Sequence, residues 1–141
     1  MNGSQTACHP ALFDGLLCDF LDESDRLLAQ LHENLQELDQ WTQWLGDGHP
    51  QRSGPELLHE MFRSAHRLMG LSAMLGLTDI SQLTHQIERV FDAARHERLT
   101  ITRDVTELVS RRLDRLAAMV GWLKEPGGCE AALAGEPPRL G

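Results

Sequence analysis

The chain has 141 residues, 41% hydrophobic and 24% charged, with a formal net charge of −8 at pH 7, which suits one compact domain able to bury a core without disulfide or metal support. The acidic balance argues against nucleic acid, which calls for a basic face to neutralise phosphates. No stretch approaches the about 18 uncharged apolar residues that span a bilayer, and the start MNGSQTACHP lacks a basic segment followed by an apolar run, so a soluble cytoplasmic protein without membrane insertion is expected.

Residues 1–10 read as a flexible N-terminus. A first helix is expected from Ala11 to Leu45, because Phe13, Leu17, Phe20, Ser24, Leu27, Leu31, Asn34, Leu38, Trp41 and Leu45 alternate spacings of four and three, the seam of one helical face. This segment carries the charge: residues 1–50 hold nine acids against the single base Arg26, and residues 51–141 hold twelve against twelve. Trp41 and Trp44 at its end are expected to cap a bundle. GDGHPQRSG then makes a loop, and Ser53, Pro55 and Glu56 suggest a capping box with proline at the first helical position.

The second helix is expected to end near Met74, closed by Gly76. Thr78 is expected to cap a third, in which Ile80, Leu83, Ile87, Val90, Phe91 and Ala94 share a face until His96. Thr102 should cap a fourth, with Val105, Leu108, Val109, Leu116, Met119, Val120 and Leu123 inward. Met61, Met69, Met74 and Met119 read as core filler, and Ser72 as a small packing residue. No segment alternates with period two, so the fold class is all-α, an antiparallel four-helix bundle over residues 11–124. Residues 125–141, with Pro126, Gly127, Gly128, Gly135, Pro137, Pro138 and Gly141, read as a disordered tail or interdomain linker. Cys8, Cys18 and Cys129 are odd in number without a CxxC pair, so reduced thiols are expected and no zinc site.

One histidine stands out. On the second helix Leu58, Met61, Phe62, Ala65, Met69 and Ser72 cluster on one side, and at 100° per residue His66 falls about 80° off Leu58, on the flank of that stripe. Gly70 lies one turn further along the same flank and Ala73 two turns, so the surroundings of the imidazole are stripped of bulk. A mid-helix glycine costs about 0.5–1 kcal/mol relative to alanine, and space beside the ring is the candidate reason to keep it. On the third helix Glu88 falls about 80° off Ile80 and His85 about 140° off. A carboxylate there could accept a hydrogen bond from one imidazole nitrogen and leave the other as an outward nucleophile. On spacing alone, His66 and Glu88 are as readily two unrelated surface residues.

The runs FRSAHRLMG (62–70) and MLGLTDISQLTHQIERVFDAARHERLT (74–100) resemble the histidine phosphotransfer (HPt) domain that opens the chemotaxis-type histidine kinases, whose signature is approximately F-R-x-A-H-x-[IL]-K-G followed by a helix with T-H-x-x-E. DFLDESDRLLAQLHENLQELD resembles that family's acidic first helix, and the likeness extends over residues 12–124. It implies that His66 is the phosphorylated histidine, Glu88 the glutamate hydrogen-bonded to it, His85 the second histidine of the site and Gly70 the glycine of the signature. It implies a phosphoprotein of a two-component phosphorelay that receives its phosphoryl group from the ATP-binding domain of a histidine kinase and passes it to a response-regulator aspartate. No Gly-rich or P-loop nucleotide motif is present, so the domain would hold no cofactor, ATP and Mg²⁺ being supplied through the kinase domain; it would be a carrier and substrate, not a complete enzyme. The tail fits attachment to a larger kinase. Met69 stands where the family has lysine, and a thioether cannot replace that charge; Arg67, Arg63 and Arg95 are candidate substitutes. This departure leaves an alternative, an HPt-like bundle that docks proteins without phosphotransfer. Glu56-x-x-His59 and His85-x-x-Glu88 are too few for a di-iron bundle, so no metal is expected.

Overall fold

The computed structural model describes residues 12–43 and 54–136. Helix α1 is Leu12–Gln43, α2 Gly54–Met74, α3 Thr78–Arg95, α4 Arg103–Leu123 and α5 Gly128–Leu133, and no strand occurs among the described residues. Helices α1 to α4 pack in a ring, each on the next and α4 back on α1. Pairs at opposite ends fix the directions. Asp25 in the first half of α1 binds Lys124 at the end of α4 (2.6 Å), whereas Asp39 near the end of α1 accepts from Thr106 at the start of α4 (2.8 Å). Between α2 and α3, His59 meets Arg95 (3.3 Å). Neighbouring helices therefore run antiparallel, as expected for this bundle.

The seam of α1 buries Leu17, Phe20, Ser24, Leu27, Leu31, Asn34 and Leu38, the residues that its three-and-four spacing selects. They face Leu57, Met61, Ala65 and Leu68 of α2, Ile80, Ile87 and Phe91 of α3, and Val109, Leu113, Leu116 and Val120 of α4 in one core. Trp41 is partly exposed, but its ring covers the first residue of α2 so closely that a Cβ on Gly54 would lie 3.0 Å from it. It caps that end of the bundle; Trp44, Leu45 and Ser53, and with them the expected capping box, lie outside the described residues.

Several expectations are corrected. Thr102 accepts the Val105 N–H at 3.3 Å and caps α4, but Thr78 caps nothing: Leu77 holds the N-cap position of α3 without a side-chain bond. Gly76, at φ +76°, and buried Leu77 turn the chain there instead, through the Leu77 N–H to the Ser72 carbonyl at 2.9 Å. Met61 and Met119 are core residues, but Met74 is 83% exposed because it falls on the outer face of the last turn of α2. Cys8, which the expectation of reduced thiols includes, lies outside the described residues.

The segment read as a tail contains α5. Gly127 adopts φ +79°, which lets the chain reverse after α4. Gly128 then sits directly against α4, where a Cβ would fall 2.1 Å from the Trp122 carbonyl oxygen. Cys129, Ala131 and Ala132 pack behind it on the core. Residues 1–10 and 137–141 lie outside the described residues. Because only glycine fits at 128, Gly128→Ala should lift α5 off α4 and cost about 1–2 kcal/mol, the range of a local overpacking change. Amide exchange of residues 129–136 should become fast while α1 to α4 stay protected; unchanged protection of α5 would refute the close packing.

Candidate functional site

His66 sits in the middle of α2 on the flank that faces α3. Its Nδ1 is hydrogen-bonded to Glu88 Oε2 across the helix pair. A carboxylate offers only acceptors, so Nδ1–H donates, and in the neutral ring Nε2, on the far edge, keeps its lone pair. The two partners differ sharply in exposure: the His66 side chain is 62% accessible and that of Glu88 8%. Oε1 of Glu88 accepts a second bond from His85 Nδ1 at 3.1 Å. Both oxygens of a buried carboxylate are thus satisfied by imidazoles, which offsets the cost of taking it out of water.

One face of the His66 ring is covered. Phe62, one turn earlier on α2, stacks on it with centroids 5.8 Å apart and planes 17° from parallel. The Arg95 guanidinium lies 3.8 Å from the centroid of the Phe62 ring and is steadied by Asp92 at 3.2 Å. Phe62 belongs to the apolar stripe of α2, and its separation of four residues from the histidine is the signal in the sequence for this stack. The opposite side is open. A Cβ on Gly70 would meet nothing within 4 Å, so the glycine is not required by any contact in the bundle.

Beyond His66 a groove runs between α1 and α2, walled by Arg26, Gln30, Glu60, Arg63, His66 and Arg67. The structure separates the three arginines that could substitute for the lysine absent at Met69. Arg95 is engaged on Phe62 and Asp92. Arg67 turns to α1 and donates to Glu23 Oε2 at 2.6 Å, and Arg26 grips the same carboxylate. Hydrogen bonds from Arg26 first and Arg67 second hold the Glu23 carboxyl below the usual carboxylate range. Arg63 forms no ion pair with any carboxylate among the described residues. Met69 itself is half-buried, as its place near the stripe suggests.

His66, Glu88 and His85 are therefore hydrogen-bonded into one cluster beside Phe62 and Arg95, while Gly70 follows His66 by one turn of α2 with open space beside it. Among the described residues no group of three or more His, Cys, Asp or Glu is placed to hold a metal ion, and no helix is long and apolar enough to cross a membrane.

The sequence pattern of the Hpt domain family matches residues 15–119. Curated relatives include the chemotaxis protein CheA of Bacillus subtilis, 36% identical over 101 residues that make up 72% of this chain and 14% of the relative. CheA of Borreliella burgdorferi is 34% identical over 105 residues, 74% of this chain and 11% of the relative. The sensor histidine kinase CheAY of Helicobacter pylori is 31% identical over 109 residues, 77% of this chain and 12% of the relative. The chain spans only a small part of the length of these relatives. With a family match across all four helices of the bundle and a paired histidine and glutamate on α2 and α3, the chain belongs to the histidine phosphotransfer (Hpt) domain family.

Proposed function

We propose that His66 carries the phosphoryl group, received from the ATP-binding domain of a chemotaxis-type histidine kinase and passed to an aspartate of a response regulator. The observation that carries this reading is the pairing of an exposed imidazole with a buried carboxylate through Nδ1 alone. In the first step the Nε2 lone pair attacks the γ-phosphorus of ATP held on the kinase domain; the P–N bond forms and the P–O bond to the leaving ADP breaks. Nε2 has no proton to lose. The ring, now bearing Nδ1–H and a phosphorylated Nε2, is cationic, and Glu88 lies where that charge develops. In the second step an acceptor carboxylate attacks the same phosphorus, the P–N bond breaks and the imidazole returns to its starting form with its hydrogen bond intact.

Phe62 and Glu88 restrict the ring to one orientation, and His85 holds the second oxygen of Glu88 so that the carboxylate does not swing. The empty side at Gly70 leaves room for the phosphoryl group and for a partner's active site. This account uses no nucleotide bound by the domain; ATP and Mg²⁺ belong to the kinase. We place the protein in the cytoplasm, where such kinases meet their regulators.

With a chemotaxis kinase core and labelled ATP, acid-labile and base-stable label should appear on this chain and vanish in His66→Gln, with helical circular dichroism unchanged. Label that persists in the variant refutes the assignment. Glu88→Gln should keep the fold but slow transfer by about 10-fold or more, the effect of losing a group that orients a reactive side chain; an unaltered rate would mean that the hydrogen bond has no part in the reaction.

Gly70 separates function from stability. Since an added methyl meets nothing, Gly70→Ala should stabilise the bundle by about 0.5–1 kcal/mol through helix propensity. The same variant should accept phosphoryl more slowly, because the methyl narrows the open side on which a partner's active site must reach His66. A gain in melting temperature with no change in transfer would show that the space is not used.

A further inference from the structure

A dianionic phosphoryl group on His66 needs a cation, and the residue that would supply one in the relatives' signature is the half-buried thioether of Met69. Three facts narrow where the charge can come from. First, helical side chains lean toward the N-terminus, so the His66 imidazole lies over the turn at residues 62 and 63, as its stack on Phe62 shows. Second, on α2 Phe62 is offset about 40° to one side of His66 and Arg63 about 60° to the other, so the imidazole stands between them. Third, Arg63 lines the same groove as His66 and is the only arginine there that forms no ion pair among the described residues, since Arg26 and Arg67 are both held by Glu23.

We propose that Arg63 binds the phosphoryl oxygens on His66 and so replaces the missing lysine. The inference rests on His66 being the acceptor. An arginine fork suits this position because its planar donors can take two phosphoryl oxygens at once. Arg63 breaks no existing pair to do so. Arg67 would have to leave Glu23, and Arg95 would have to leave the face of Phe62 and with it the support of the histidine ring.

The test uses phosphoramidate as donor, which needs no kinase: Nε2 attacks phosphorus, the bond from phosphorus to the amine nitrogen breaks, and ammonia leaves. The full chain and its Arg63→Ala, Arg63→Lys and Arg67→Ala variants are phosphorylated in this way, and the ³¹P resonance of the phosphohistidine is followed against pH. A nearby cation favours the dianion, so Arg63→Ala should raise the titration midpoint of the phosphoryl group by about half a unit or more. Arg63→Lys should restore most of the shift, and Arg67→Ala should leave the midpoint near that of the parent. Arg63 is exposed, so the variant should fold, which circular dichroism checks. A midpoint unmoved in Arg63→Ala, or one moved only in Arg67→Ala, overturns the proposal while leaving His66 as acceptor. If no ³¹P signal on His66 forms in the parent chain, the acceptor assignment fails and this inference with it.

Discussion

The buried carboxylate of Glu88 is the constraint around which the site is organised. A carboxylate that is 8% exposed is tolerated only when its oxygens are bonded, and here imidazoles bind both. One of them, His66, stands mostly in solvent. The cost of burying Glu88 therefore fixes the ring: if His66 rotated away, an ionised oxygen would be left unpaired against the core. Orientation of the nucleophile follows from an interaction that the fold itself requires.

The bundle serves that pair by holding α2 against α3. Ala65 and Leu68 on α2, with Ile87 and Phe91 on α3, are buried beside the histidine and the glutamate in sequence. The flank position arises because His66 follows Ala65 and Glu88 follows Ile87, each one step around the helix from a fully buried residue. On the other side of α2, Glu23 joins Arg26 and Arg67 and ties α1 to α2. The lowered pKa of Glu23 means that this tie is complete above the ordinary carboxylate range and is lost as pH falls through the lower folded value. The acidic first helix thus neutralises two arginines near the histidine and leaves Arg63 unbound.

Much of this was legible in the residues. The periodicity of Leu17 to Leu38 fixed the inward face of α1, and the offsets of His66 from Leu58 and of Glu88 from Ile80 placed both on flanks that could meet. What was not legible depends on distances between segments. The stack of Phe62 on His66 was within reach of an i, i+4 argument, but the guanidinium of Arg95 on the far side of Phe62 comes from another helix. Helix α5 hides in a Gly- and Pro-rich stretch because its stability comes from the fit of Gly128 on Trp122 rather than from propensity. Thr78 has the residue type of a cap and does not act as one, since Gly76 and Leu77 set the turn before it. Met74 was assigned to the core by residue type when its helical phase already placed it outside.

The central claim is that Glu88 occupies Nδ1 of His66 and leaves Nε2 as the nucleophile. The most direct measurement is the ¹H–¹⁵N long-range correlation spectrum of the histidine rings before and after phosphorylation. The account predicts that the neutral ring of His66 carries its proton on Nδ1 in the free protein and that, after transfer, phosphorus is bonded to Nε2 of that ring with Nδ1–H retained. A free ring protonated at Nε2, or a phosphoryl group on Nδ1, would contradict it.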